Sequence, residues 1–130
     1  MSLNILIVDD CASVRLYHIR LLSRKGYHCT GVASAEEALA VLPSGNIDLI
    51  LLDMMMPGMS GEAFVEFLSR KPTHVGVPVL IITSDEASAL VSLALASNPI
   101  SVLVKPVMPA ALLDRVQLML NVTAPAGPTA

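Results

Sequence analysis

Short stretches of unbroken aliphatic side chain recur along the sequence, and each runs directly into a polar residue. Ile5-Leu6-Ile7-Val8 leads into Asp9 and Asp10, and Leu49-Ile50-Leu51-Leu52 into Asp53. Val79-Leu80-Ile81-Ile82 leads into Thr83, and Val102-Leu103-Val104 into Lys105. A strand that is apolar at every position must be covered on both faces, which is the situation of a parallel strand between two helical layers. In an open parallel sheet the C-terminal strand ends gather along one edge, where ligands bind. The pattern therefore predicts three carboxylates, a hydroxyl and an amine on that edge.

The segments between these runs read as helices. Val14, Tyr17, His18, Leu21 and Leu22 form a helical stripe that Gly26 terminates. A second strand is expected over 27–32. Ser34 and Glu37 then make a capping-box pattern ahead of Leu39 and Leu42, and Pro43-Ser44-Gly45-Asn46 stops that helix. The third strand is expected over 48–52, followed by a helix from Ser60 carrying Phe64, Phe67, Leu68 and Lys71. Asp85 caps a fourth helix reaching about Ser97. Pro109 sits near the first turn of a last one bearing Leu112, Leu113, Val116, Met119 and Leu120. Five βα repeats of this length predict an α/β, doubly wound parallel sheet with helices on both faces. One domain is expected over 1–121, with the Ala/Pro-rich stretch 122–130 as a tail or linker.

Composition narrows the function. With 54% hydrophobic and 15% charged residues the chain should fill an aliphatic core. Its only aromatics are Tyr17, Tyr27, Phe64 and Phe67, and its formal charge is −3. Neither a base-stacking platform nor a basic footprint for nucleic acid is present. Cys11 and Cys29 lack metal-ligand spacing and read as buried or semi-buried free thiols of a reducing cytosol. Residues 87–104 carry no charge and match the length of a membrane span, but four serines and Asn98-Pro99 interrupt them. A helix, a turn and a buried strand account for that stretch better. The strand that follows Met1 so closely leaves no room for a signal peptide, so a soluble, cytoplasmic protein is expected.

Three clustered carboxylates repel one another unless a cation sits among them. Magnesium suits the set, being held by one or two carboxylates with water and a substrate phosphate. Asp53 is placed to attack phosphorus, with Lys105 and Thr83 near the transferring oxygens, a chemistry of positioning and charge neutralisation. A lone Asp at a strand end is usually a turn or cap residue and a lone Lys a solvated amine; their joint spacing reverses that reading. The matching text is Ile7-Val8-Asp9-Asp10, Leu52-Asp53 through Gly61, Ile82-Thr83-Ser84 and Val104-Lys105-Pro106. Over residues 4–121 the chain resembles a response-regulator receiver domain, down to the intervals from Asp53 to Thr83 and to Lys105.

The resemblance implies a flavodoxin-like (βα)5 fold with strand order 2-1-3-4-5, an order the family's chemotaxis member exemplifies. It implies Asp53 as phosphoacceptor and Mg2+ held by Asp10, Asp53 and the Met55 backbone carbonyl, with Asp9 acting mainly through water. Thr83 resembles the switch hydroxyl, Lys105 the phosphoryl partner, and the Lys105-Pro106 bond is expected to be cis. The implied donor is a histidine kinase or phosphotransfer protein. The chain would be a phosphoacceptor with at most weak autophosphatase activity, not a turnover enzyme. Met55 and Asp85, two residues beyond Asp53 and Thr83, would flank the attacking water. Met54-Met55-Met56 reads as apolar packing, Pro57-Gly58 and Gly61 as turn formers, and His18, His28 and His74 as structural or exposed.

Two departures stand out. Many receivers carry an aromatic three residues before the lysine, and here that position is Val102, which has no ring to swing. Of the eight basic and eleven acidic side chains only Lys105, Asp114 and Arg115 lie beyond residue 86. That apolar face, residues 86–120, is expected to be covered by a second copy or an output partner. Two other functions remain open. One is a receiver-shaped interaction module that no longer uses phosphate. The other is an aspartate-nucleophile phosphatase, which would want an acid where Met55 stands.

Overall fold

The structure is a computed structural model, and it describes residues 3–44, 46–54, 61–71, 76–84 and 98–123. Five strands form one sheet: β1 (Asn4–Val8), β2 (His28–Val32), β3 (Leu49–Asp53), β4 (Val79–Thr83) and β5 (Ile100–Val104). All pairings are parallel and the spatial order is β2-β1-β3-β4-β5, as expected. Four helices accompany them among the described residues: α1 (Ala12–Ser23), α2 (Ala35–Val41), α3 (Gly61–Arg70) and α4 (Pro109–Thr123). The helix expected over 85–97 lies outside the described residues, as does 124–130 of the tail.

Side-chain alternation divides the interior into two layers. Leu6, Val8, Ile50, Leu52, Val79 and Ile81 face a core closed by Ala35 and Ala38 of α2 and Phe64, Val65 and Leu68 of α3. Ile5, Ile7, Leu49, Leu51, Leu80 and Ile82 face the other, closed by Leu22 of α1 and Leu112, Val116 and Leu120 of α4. Strands that fill both layers have no polar positions to spare until they leave the sheet. The first polar side chains therefore stand at its C-terminal edge.

The caps behave largely as the sequence indicates. Gly26 takes a φ of +90° and donates its N–H to the Ser23 carbonyl at 3.0 Å, closing α1. Ser34 Oγ accepts from the Glu37 N–H at 3.1 Å to cap α2. The return arm of the box goes one residue further, from the Ala33 N–H to Glu37 Oε1 at 3.4 Å. Strand starts shift by one or two residues. β2 begins at His28 and β3 at Leu49, where Asp48 accepts from the Asn4 N–H through its carboxylate at 2.7 Å and donates its own N–H to the Asn4 carbonyl at 2.8 Å. β5 begins at Ile100, two residues before the apolar run, with Ser101 satisfied by Arg115 of α4. The Lys105-Pro106 bond is cis.

Candidate functional site

Strand register brings the acids together. Val8 pairs with Leu52, so Asp9 and Asp53 occupy equivalent steps on adjacent strands. Asp53 pairs in turn with Ile82, leaving Thr83 one step further on β4, and Thr83 pairs with Val104, which precedes Lys105. Carboxylate oxygens of Asp9, Asp10 and Asp53 lie within 4.8 Å of one another. Asp9 and Asp53 are buried, at 4% and 8% exposure, while Asp10 is exposed. The first polar residues at the ends of β1 and β3 thus form one acidic cluster.

Asp9 is held from three directions. Its N–H donates to the Val32 carbonyl at 3.1 Å, its Oδ1 accepts from the Cys11 N–H at 2.9 Å, and its carbonyl accepts from Arg15 Nη1 at 2.7 Å. Burial pushes its carboxyl above the usual value of 3.8; the Cys11 N–H and the Lys105 charge oppose the rise, and the Asp53 and Asp10 charges add to it. An all-oxygen cluster whose members repel one another fits a hard divalent cation and offers nothing to a soft one.

The lysine approaches from the sheet edge. Lys105 Nζ stands 3.5 Å from Asp53 Oδ1, a loose ion pair with the lysine side chain 41% exposed. Its N–H is anchored to the Thr83 carbonyl at 2.8 Å. Thr83 is fully buried. The remaining expected neighbours, Met55 and Asp85, lie outside the described residues, as does His74.

The sequence profile of the family described as "Response regulator receiver domain" matches residues 5–117. The chain belongs to that family. Among curated relatives it is 35% identical over 93% of its length to the cyclic di-GMP phosphodiesterase response regulator RpfG of Xanthomonas campestris pv. campestris. It is 33% identical over 94% of its length to the phosphate regulon transcriptional regulatory protein PhoB of Pseudomonas aeruginosa. It spans 32% of the former and 53% of the latter, so those proteins are longer than the matched receiver. Among solved structures, the Vibrio cholerae chemotaxis protein CheY4 superposes with a TM-score of 0.82 at 30% identity, covering 92% of this chain and 99% of that one. The receiver domain of a Syntrophus aciditrophicus histidine kinase gives a TM-score of 0.85 at 27% identity, covering 99% and 98%. Receivers are phosphoacceptor signalling domains of two-component systems rather than classical enzymes, and they bind Mg2+ in an acidic pocket of this kind. They interact with histidine kinases or phosphotransfer proteins.

Arg15 and Gly31, beside the receiver site, escaped the sequence reading, whereas His18 is structural, one of the two readings given to it. His18 is buried on α1, and burial, then the Lys105 charge, hold its imidazole below the usual value of 6.5. Only the helical stripe marked its position. Arg15 and Gly31, which meet behind Asp9, had no signal beyond a charge in a helix and a glycine in a strand. Cys11 and Cys29 are free thiols, as expected; Cys29 is half-buried, but Cys11 is exposed instead of buried, because it stands at the solvent-facing start of α1. Among the described residues no helix is long and apolar enough to cross a membrane.

Proposed function

We propose that this receiver is a phosphoacceptor switch that takes a phosphoryl group onto Asp53. The observation that carries the reading is the convergence of Asp9, Asp10 and Asp53, with the Lys105 ammonium 3.5 Å from the acceptor. A carboxylate oxygen of Asp53 attacks phosphorus while the bond from phosphorus to a donor imidazole nitrogen breaks, its electron pair leaving with that nitrogen. Asp10, Asp53 and the Met55 carbonyl hold Mg2+, with Asp9 acting mainly through water. The ion, when bound, neutralises charge on the transferring oxygens. Lys105 pairs with one phosphoryl oxygen and the Thr83 hydroxyl donates to another. Slow hydrolysis of the aspartyl phosphate resets the switch.

The donor is a histidine kinase or phosphotransfer protein. The output is a shift between two populated conformations that favours a partner or an attached domain. Residues 1–121 make up the receiver and 122–130, the first two of which continue α4, a tail or linker, and the protein works in the cytoplasm. The face of residues 86–120 meets a second copy or the output partner.

Incubation with acetyl phosphate and Mg2+ tests the reading. Intact-mass spectrometry should find one phosphoryl adduct on the wild-type chain and none on Asp53→Asn. No adduct on the wild type would favour a phosphate-independent receiver module instead. That second reading rests on Val102, a half-buried aliphatic packed toward the α2/α3 layer, where no ring can report the site's state.

A further inference from the structure

Asp9 belongs to the acidic pocket, yet one of its bonds comes from a long side chain on α1. Arg15 Nη1 donates to the Asp9 carbonyl oxygen at 2.7 Å. To reach it, the half-buried Arg15 stem crosses β2 over Gly31. A Cβ on Gly31 would stand 2.9 Å from Arg15 Cδ, 3.0 Å from its Cγ and 2.8 Å from Ile19 Cδ1. Gly26 is the only glycine with positive φ among the described residues, so the backbone at Gly31 asks for no special conformer. What Gly31 supplies is space for the arginine.

We propose that Arg15 is a positioning residue of the metal pocket and that Gly31 is the opening it requires. The carbonyl it holds lies in the Asp9–Asp10 peptide plane, so one hydrogen bond orients two acids. With the Asp9 N–H on Val32 and the carboxylate on Cys11, the arginine completes the fixing of this corner. Groups that orient ligands from behind govern metal affinity through geometry, without touching the ion. The inference rests on the Mg2+ reading given above.

Calorimetric titration of the full chain with Mg2+, beside urea denaturation, separates positioning from plain structural support. Arg15→Met keeps the stem and loses the donor; it should weaken Mg2+ binding about tenfold. Arg15→Lys, which keeps an ammonium donor, should bind more tightly than the Met variant. Gly31→Ala should weaken binding in the same sense. Combined with Arg15→Met it should add little, because both changes remove one contact. Should Gly31→Ala fail to fold, the Met and Lys variants decide alone. An Arg15→Met chain that loses denaturant stability but binds Mg2+ like the wild type would overturn the inference and leave the metal reading standing. A wild-type chain that binds no Mg2+ would overturn both.

Discussion

The three central strands and the outer strand β5 differ in how deeply they are buried, and the site draws on both. β3 and β4 are buried at every position and β1 at all but its first. β5 is half-exposed throughout, and its last residue, Val104, is 43% exposed. The acids emerge from the buried strands, while the cation emerges from the half-exposed one, its Nζ 3.5 Å from Asp53 Oδ1. The carboxylates of the candidate site thus stand at the ends of buried strands and its lysine at the end of a half-exposed one.

Core truncation probes this contrast with the largest effect. Leu51→Ala should cost about 3 kcal/mol in urea denaturation, since a fully packed site cannot collapse around the lost atoms. Val102→Ala should cost about 1 kcal/mol, for fewer and half-wet methyl groups. Equal costs would erase the distinction between centre and edge. Arg115→Met comes next. It removes the guanidinium bonds to Ser101 Oγ and the Val102 carbonyl, and about 1.5 kcal/mol should go with them. Amide exchange should then speed up along β5 and leave β3 unchanged.

Two pH experiments sharpen the comparison at smaller amplitude. The folded state raises the Asp9 carboxyl above 3.8, so its contribution is favourable below that value and is lost as pH rises through the folded one. At neutral pH the ionised group is therefore a cost. Asp9→Asn should raise Tm by a few degrees without Mg2+ and reduce the stabilisation that Mg2+ brings. His18 runs the other way: its folded value is depressed, so stability is complete above about 6.5 and falls away as pH drops. Lys105 and Asp53 are the charges that act on it. His18→Leu should flatten that slope in denaturation curves collected from neutral to mildly acid pH.

The frame of the site was legible because buried parallel strands admit no polar residue until they end. Asp9, Asp53, Thr83 and Lys105 each follow an apolar run for that reason, and register then carries them to one edge. The family resemblance supplied the strand order, which apolar runs alone leave open. Where polar groups satisfy one another across elements the sequence was silent. Ser101 read as one of the serines interrupting residues 87–104, yet it lies inside β5, where Arg115 satisfies its hydroxyl. Gly31 looked like a weak strand residue because its value lies in what passes over it. The Asp48 carboxylate meets the backbone of Asn4, 44 positions away in the chain.

β5 has a single hydrogen-bonded neighbour, β4, and its successive residues serve opposite layers. Val102 packs toward α2 and α3, while Leu103 packs toward α1 and α4. Sliding this strip by a fraction of a residue would break only one ladder, yet both sides of the molecule would register it. Lys105 therefore follows directly on a strand whose side chains reach both helical layers.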